Sequence, residues 1–157
     1  MKPVTAYIRR ETLVSVIINS AFSLVFFGLV FGFRRPVTVW GVGGYVFDFG
    51  PQAFMIALMA TLVPGTIARR AVSAGRMAPW PTRLPLPHTL WLTALLLALG
   101  SAAVAVGCAT ATLALIGRTQ LAPAAALAAK LLFGAALAAI ITPIGLRVAL
   151  RPGKCPL

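Results

Sequence analysis

Four long apolar stretches constrain the fold of this chain more than any other feature. They run roughly over Leu13–Phe33, Pro51–Ala68, Thr89–Ile116 and Ala124–Leu146. A helix needs about 20 residues to cross a hydrocarbon core about 30 Å thick, and each stretch reaches or nearly reaches that length. We therefore predict an all-α integral membrane protein, a bundle of four membrane-spanning helices.

The composition leaves little room for anything besides a membrane domain. Of the 157 residues, 60% are hydrophobic and 10% are charged, whereas soluble domains carry about 25% charged residues. We expect residues 1–157 to form a single transmembrane domain. The first apolar stretch is longer than a signal-peptide core and lacks a small-x-small cleavage site, so we interpret it as a retained helix.

The basic residues indicate an orientation. The net charge of +12 would suggest nucleic acid in a soluble protein, but Lys and Arg at span ends anchor and orient helices, so we expect no nucleic-acid partner. The positive-inside rule predicts cytoplasmic N- and C-termini in a bacterial inner membrane, since the basic residues divide ten to three between the two sides. The ten are Lys2, Arg9, Arg10, Arg69, Arg70, Arg76, Arg83, Arg147, Arg151 and Lys154, and the three are Arg34, Arg35 and Arg118.

The first stretch carries a polar line and a small-residue pattern. Asn19 is costly in lipid unless it finds a partner, so we expect it to bond a neighbouring helix, with a substrate-binding role as the alternative. Ser15 and Ser23 lie four residues on either side and should face the bundle with it. Gly28 and Gly32 form a small-x-x-x-small pattern that indicates either close contact with another helix or a groove that faces lipid.

Residues 34–50 form the longest predicted exterior loop, and the Trp40–Gln52 segment is where we look first for function. Trp40 and Tyr45 suit a membrane–water interface, and the three glycines between them permit tight turns. The loop is too apolar to extend into water, so we expect it to fold back onto the bundle. Its glycines lack the preceding strand and following helix of a phosphate-binding loop.

The chain has two acidic residues, Glu11 and Asp48. We expect the first helix to begin near Thr12, with Glu11 at the positive end of its dipole. Asp48 suits a helix N-terminal cap or dipole partner before Gly-Pro. The alternative is an ion pair with Lys130, which lies at a similar depth in the fourth stretch; a Lys130 that snorkels alone toward the interface is a third interpretation.

The third and fourth stretches carry small-residue faces that suit close packing within the bundle or between subunits. The first face comprises Gly100, Ala103, Gly107 and Ala111, and the second comprises Gly134, Ala138 and Thr142.

An offset of 79 residues aligns the two halves of the chain. Five of the eleven positions from 54 to 64 are then identical, and Pro64 falls on Pro143. The same offset aligns Leu13 with Leu92 and Val25 with Val104. We interpret this as a parallel repeat of two helical hairpins, about an axis along the membrane normal. The two prolines should bend their helices at matching depths near the cytoplasmic face.

The spans lack a set of residues that could catalyse a reaction. One histidine and two cysteines, Cys108 and Cys155, supply neither metal-ligand spacing nor a paired disulfide. We therefore predict a protein that is not an enzyme and has no cofactor or metal.

The stretch from Val39 to Met59, which reads Val-Trp-Gly-Val-Gly-Gly-Tyr-Val-Phe-Asp-Phe-Gly-Pro-Gln-Ala-Phe-Met-Ile-Ala-Leu-Met, resembles a segment of uncharacterised small four-helix bacterial inner-membrane proteins. The resemblance extends over Phe26–Arg70 and implies a location but no activity.

These observations favour a non-catalytic accessory or structural subunit of a larger bacterial membrane complex. It would contact membrane lipids and either other subunits or a second copy of itself. The alternative is a small oligomeric transporter or channel for a small molecule or ion, with Asn19, Asp48, Gln52 and Lys130 as its polar lining.

Overall fold

The computed structural model describes residues 4–81 and 84–152, and this part of the chain is a bundle of four helices with one short strand pair. The elements are α1 (Val4–Val30), β1 (Val37–Thr38), α2 (Tyr45–Ser73), α3 (Leu90–Ile116), β2 (Gln120–Leu121) and α4 (Pro123–Ala149). Each helix is long and apolar enough to cross a membrane. The predicted all-α membrane bundle is therefore confirmed.

Helices α2 and α4 form the centre of the bundle. They pack against each other, α3 packs on α2, and α1 packs on α4, whereas α1 and α2 barely touch and α3 and α4 touch little. The two predicted hairpins are α1 with α2 and α3 with α4. Each helix packs mainly against a helix of the other hairpin and makes few contacts with its own sequence partner. Between the pairs, β1 and β2 run antiparallel, with Val37 opposite Leu121 and Thr38 opposite Gln120.

The bundle has two chemically different ends. The strand end carries β1 and β2, and also Arg34, Arg35 and Arg118 in the connections beside them. The basic end is where α1 and α3 begin and α2 and α4 end. Of the predicted cytoplasmic residues, Lys2, Arg83 and Lys154 lie outside the described residues, as does Cys155.

Helix α1 begins at Val4, well before the predicted start near Thr12. Glu11 therefore lies inside the helix rather than at its positive end, and that prediction is wrong. The polar residues before Thr12 end the apolar stretch but not the helix, because arginine and glutamate are good helix formers.

The two glycines at the end of α1 do not make the predicted helix–helix contact. Gly32 adopts a left-handed conformation with φ of 69°, which is where helices commonly end. Gly28 is covered by the ring of Phe33, whose Cζ would lie 2.7 Å from an added Cβ. The pattern thus ends α1 and lets the chain fold back over it.

Helix α2 begins at Tyr45, so the predicted exterior loop is shorter than expected and Pro51 lies inside the helix. Gly44 precedes the helix, and a Cβ there would lie 2.7 Å from the Trp40 carbonyl oxygen. The helix also continues past Ala68 to Ser73. The bounds of α3 agree with the prediction within one residue.

Pro64 and Pro143 lie inside α2 and α4 as the repeat requires. Each removes one N–H donor from its helix, and matching bends at these positions remain a prediction.

The core at the strand end is aromatic. Phe27, Tyr45 and Phe49 are buried there together with Val37 and Val39 of the loop between α1 and α2. The predicted folding of this loop onto the bundle is confirmed. It brings the first turn of α2 against the first turns of α4.

Candidate functional site

An ion pair joins α2 to α4 at the strand end. The Nζ atom of Lys130 lies 2.7 Å from Oδ2 of Asp48, with the lysine side chain 2% exposed and the aspartate side chain 28% exposed. A buried ammonium without a partner is strongly destabilising, so the carboxylate holds this lysine in the interior. The predicted ion pair of Asp48 and Lys130 is therefore confirmed, and Lys130 does not extend alone toward the interface.

The helix-capping interpretation of Asp48 is only partly correct. The N-cap residue of α2 is Gly44, and no side chain caps the helix. Asp48 nevertheless lies in the first turn, where a negative charge interacts favourably with the helix dipole. The carboxylate therefore stabilises both the start of α2 and the buried lysine.

Aromatic rings enclose the ammonium group. Nζ of Lys130 lies 4.0 Å from the centroid of the Phe49 ring and 5.1 Å from that of Tyr45. Phe133 meets the Phe49 ring edge-on, with centroids 4.9 Å apart. Ring faces attract cations and do so more strongly where water is excluded, so the rings compensate the charge on sides that Asp48 does not reach.

Tyr45 ties the same two helices together. Its hydroxyl donates a hydrogen bond of 2.7 Å to the carbonyl of Ala126, one turn before Lys130 on α4. Tyr45 is fully buried, so its predicted interface position is wrong. Trp40 remains exposed on the loop, as a residue at the membrane interface would be, and it does not join the ion pair.

Polar side chains continue from the ion pair toward the middle of the bundle. Gln52 Nε2 on α2 donates a 2.9 Å hydrogen bond to Ser23 Oγ on α1, while Gln52 Oε1 is buried without a partner among the described residues. Further along α1, the hydroxyl of Thr142 donates to Ser15 Oγ at 2.8 Å. These bonds link α1 to both central helices.

Asn19 faces the bundle as predicted, and so do Ser15 and Ser23, but its hydrogen bonds stay within α1. Its Nδ2 donates to the Ser15 carbonyl at 2.8 Å and to Ser15 Oγ at 3.2 Å. The predicted bond to a neighbouring helix is wrong, because the residue one turn earlier already offers two acceptors. The contact between helices is made by Ser15 and Thr142 instead.

The two small-residue faces have different surroundings. Gly134 on α4 packs tightly, since an added Cβ would lie 2.7 Å from Ser23 Oγ, and Ala138 and Thr142 are buried in line with it. Gly107 on α3 has no heavy atom within 4 Å of an added Cβ. Of the two predicted uses of this face, packing within the bundle is therefore wrong at Gly107, and packing between subunits stays a prediction.

The sequence carries a signal for the aromatic enclosure, although Phe133 is not among the predicted site residues. Phe49 follows Asp48 directly, and Phe133 lies three residues after Lys130, on the same side of its helix. Two ions and two rings at these spacings on facing helices would have predicted a shared site. Thr142 was predicted only as a small residue, and its hydroxyl carries the bond to α1.

The ion pair places two opposite charges between α2 and α4. The ions neutralise each other, and the described residues contain no group of three or more His, Cys, Asp or Glu side chains that could hold a metal ion. Cys108 is exposed on the surface of α3. The ion pair and the Tyr45 hydrogen bond connect α2 to α4.

No protein-family model, curated protein or solved structure matches the chain. The function must be argued from the chain's own geometry.

Proposed function

We propose that this protein is a non-catalytic subunit of a larger membrane complex, which it joins through an exposed face of α3. The observation that carries the proposal is the small-residue face of Gly100, Ala103, Gly107 and Ala111. All four residues are exposed, and neither glycine has a heavy atom within 4 Å of an added Cβ.

Such a face is suited to contact with a transmembrane helix. In lipid, helices associate through van der Waals packing and hydrogen bonds, and small residues allow backbones to approach closely. The opposite side of α3 is already used, because Ala94, Ala98 and Ala105 are buried. The exposed face could therefore accept a helix without disturbing the bundle.

The polar residues support a structural role over the transporter alternative. A path between subunits would be lined by Asn19, Gln52, Asp48 and Lys130 at the surface of each subunit. Asn19 and Lys130 are instead buried inside one chain, and Gln52 bonds Ser23 on a neighbouring helix. Their hydrogen bonds and charges are engaged in holding the bundle together.

Charge favours a different protein as the partner over a second copy. Two parallel copies would bring their basic ends side by side, and like charges at an interface are unfavourable. A partner whose loops at that end are acidic would be attracted. We therefore propose a helix of another subunit, with acidic residues near its cytoplasmic end.

Site-specific photocrosslinking in bacterial membranes tests the proposal. A photoreactive residue at Ala103 should capture one polypeptide, and the same polypeptide should be captured from Ala111. Gly107→Leu should abolish capture because the larger side chain fills the face. The matched control is a photoreactive residue at Ala21, which is exposed on α1 on the other side of the bundle, and it should not capture that polypeptide.

Two results would contradict the proposal. Capture of a second copy, with a product at twice the 16.4 kDa chain mass, would favour the homo-oligomeric alternative. Equal capture from Ala103 and Ala21 would mean that the α3 face has no special role.

We further propose that both termini are cytoplasmic and that the membrane is a bacterial inner membrane. The support is the charge distribution, since Arg9, Arg69 and Arg147 lie at the basic end together with neighbouring arginines. The resemblance over residues 26–70 points to the same membrane. A C-terminal fusion to an enzyme that is active only outside the cytoplasm should be inactive, and activity would contradict the orientation.

The contacts among the helices support the proposed repeat. Exchanging α1 with α3 and α2 with α4 turns the α1–α4 contact into the α3–α2 contact and leaves the central α2–α4 contact unchanged. The two strands precede α2 and α4 and pair antiparallel, which is the pairing expected of two strands that lie across a two-fold axis along the membrane normal. We propose that the two halves arose by duplication and pack by exchanging their first helices.

A further inference from the structure

A cavity of about 390 Å³ opens at the basic end, between the start of α1, the end of α4 and the loop that follows α2. Its polar lining includes Thr5, Arg9, Arg147 and Trp80, and its apolar lining includes Leu13 and Pro143. The ion pair at the strand end and the α3 face lie elsewhere on the molecule, so this cavity is a separate feature.

The two arginines of the cavity, Arg9 and Arg147, form no side-chain hydrogen bond or ion pair with the described residues. The arginines that donate side-chain hydrogen bonds within the described residues are Arg69, to the carbonyl of His88, and Arg151, to carbonyls of the same loop. Arg9 and Arg147 make no such bond, and the ion pair of the described residues involves neither of them. Arg9 and Arg147, two exposed residues on different helices, thus line one cavity that has no acidic residue in its lining.

Within the cavity, the two arginines lie closer to the basic end than Leu13 and Pro143, and Ile8 and Thr12 complete the α1 side of the lining. Leu13 lies one turn after Arg9 on α1, and Pro143 lies one turn before Arg147 on α4, and the two helices run in opposite directions. Four residues of helix rise about 6 Å, so both arginines lie about that distance closer to the basic end than their apolar neighbours. A phosphate held by the arginines would therefore lie nearer the basic end than an acyl chain that contacts Leu13 and Pro143.

Trp80 closes the cavity on the loop side. Its backbone N–H donates a 2.7 Å hydrogen bond to the carbonyl of Leu150, which fixes this part of the loop against the end of α4. Tryptophan is enriched where headgroups meet hydrocarbon. We therefore expect Trp80 and the two arginines to lie at the depth of the lipid headgroups.

We propose that this cavity binds an anionic phospholipid, with its phosphate between Arg9 and Arg147 and an acyl chain along Leu13 and Pro143. Guanidinium groups bind phosphate oxygens in a bidentate manner, and basic pockets between membrane helices bind anionic headgroups on the cytoplasmic side. The inference does not depend on a partner subunit, because every residue it uses belongs to this chain.

Fluorescence quenching by brominated lipids tests the proposal. A variant with Trp40→Phe and Trp91→Phe keeps Trp80 as the reporter, and it is reconstituted in nanodiscs that contain either brominated phosphatidylglycerol or brominated phosphatidylcholine at equal fractions. Phosphatidylglycerol should quench Trp80 at a much lower fraction. Each arginine near an anionic surface is worth about a factor of five in binding, so Arg9→Gln with Arg147→Gln should weaken the preference by more than tenfold.

Two matched controls separate a built site from general attraction to a basic surface. Trp91 lies exposed at the start of α3, at the same end of the bundle, and a variant that keeps only Trp91 should show a much weaker preference. Arg34→Gln with Arg35→Gln removes the same charge at the strand end and should leave the Trp80 preference intact. Equal preferences at Trp80 and Trp91 would overturn the proposal.

The lipid is distinguished from a free phosphate by competition. Glycerol phosphate at constant ionic strength should not reverse the quenching of Trp80, because it lacks the acyl chain that contacts Leu13. Reversal at millimolar concentrations would overturn the lipid assignment. If the double arginine variant fails to fold, Arg147→Gln alone gives the same test, with an expected loss of about fivefold.

Discussion

Asp48→Asn should destabilise this protein far more than Lys130→Met, although both substitutions break the same ion pair. The reason is the difference in burial, since the lysine side chain is 2% exposed and the aspartate side chain is 28% exposed. Asp48→Asn leaves a charged ammonium in the interior without its counterion. Lys130→Met leaves a carboxylate that water can reach and that still lies at the positive end of α2.

The magnitudes follow from the geometry. At the observed 2.7 Å and an effective dielectric constant of about 20, the attraction within the pair is about 6 kcal/mol. Removal of a charge from water costs several kcal/mol and offsets much of this gain. Breaking a buried pair costs about 3–5 kcal/mol when the remaining charge is buried, which we expect for Asp48→Asn. For Lys130→Met we expect about 1–2 kcal/mol, because the carboxylate keeps part of its hydration.

The double variant completes the thermodynamic cycle. With both charges gone, Asp48→Asn with Lys130→Met should lie within about 1 kcal/mol of the starting protein, since neutral replacement of a buried pair is often nearly neutral. The interaction of Asp48 with the helix dipole is lost whether residue 130 is Lys or Met, so it cancels from the coupling energy. Reversible unfolding in mixed micelles, followed by circular dichroism against the mole fraction of denaturing detergent, gives the four free energies of unfolding.

The cycle can refute the reasoning in two ways. Additive single substitutions would mean that the pair contributes no coupling. A larger loss of unfolding free energy for Lys130→Met than for Asp48→Asn would mean that the lysine is not a buried charge that requires Asp48 as its counterion.

Three further predictions use the same or simpler measurements. Tyr45→Phe removes one buried hydrogen bond between α2 and α4 and should lower the free energy of unfolding by about 1 kcal/mol, and no change would mean that the bond does not form. Gly134→Ala should cost about 1–3 kcal/mol because its face is filled. Gly107→Ala should leave the free energy of unfolding unchanged or raise it by up to about 1 kcal/mol, because the site is open and alanine favours a helix over glycine. Equal effects would contradict the packing described above. Spin labels at Val25 and Val104 should report membrane depths that agree within about one helical turn of 5.4 Å, and a larger difference would contradict the repeat.

The number and type of the helices followed from length and hydropathy alone, because a stretch of apolar residues long enough to span lipid has few other structures available. Helix ends did not follow from the same signal. Val4 to Thr12 and Tyr45 to Gly50 are helical, although polar residues interrupt the first segment and Asp48 and Gly50 interrupt the second. Hydropathy indicates which residues lie in lipid. The backbone hydrogen bonds of a helix can continue beyond those residues, so hydropathy does not locate the helix ends.

The site was predictable only in part. Two ions at a similar depth suggested the pair of Asp48 and Lys130, since isolated charges are costly in a membrane. The sequence does not predict which glycines pack against another helix. Gly107 and Gly134 lie on similar small-residue faces, but Ser23 of α1 lies against Gly134 and no side chain lies near Gly107. That difference depends on α1 packing on α4 and α3 on α2, an order of helices that a single sequence does not reveal.

The mass of the complex isolated from bacterial membranes in a mild detergent tests the central claim most directly. Native mass spectrometry of the affinity-purified protein should show one dominant assembly in which this chain is joined by at least one different polypeptide at fixed stoichiometry. Gly107→Leu should convert that assembly to the free chain with its fold intact, as judged by circular dichroism. A monomer or a homo-oligomer as the dominant species of the unmodified protein would contradict the account.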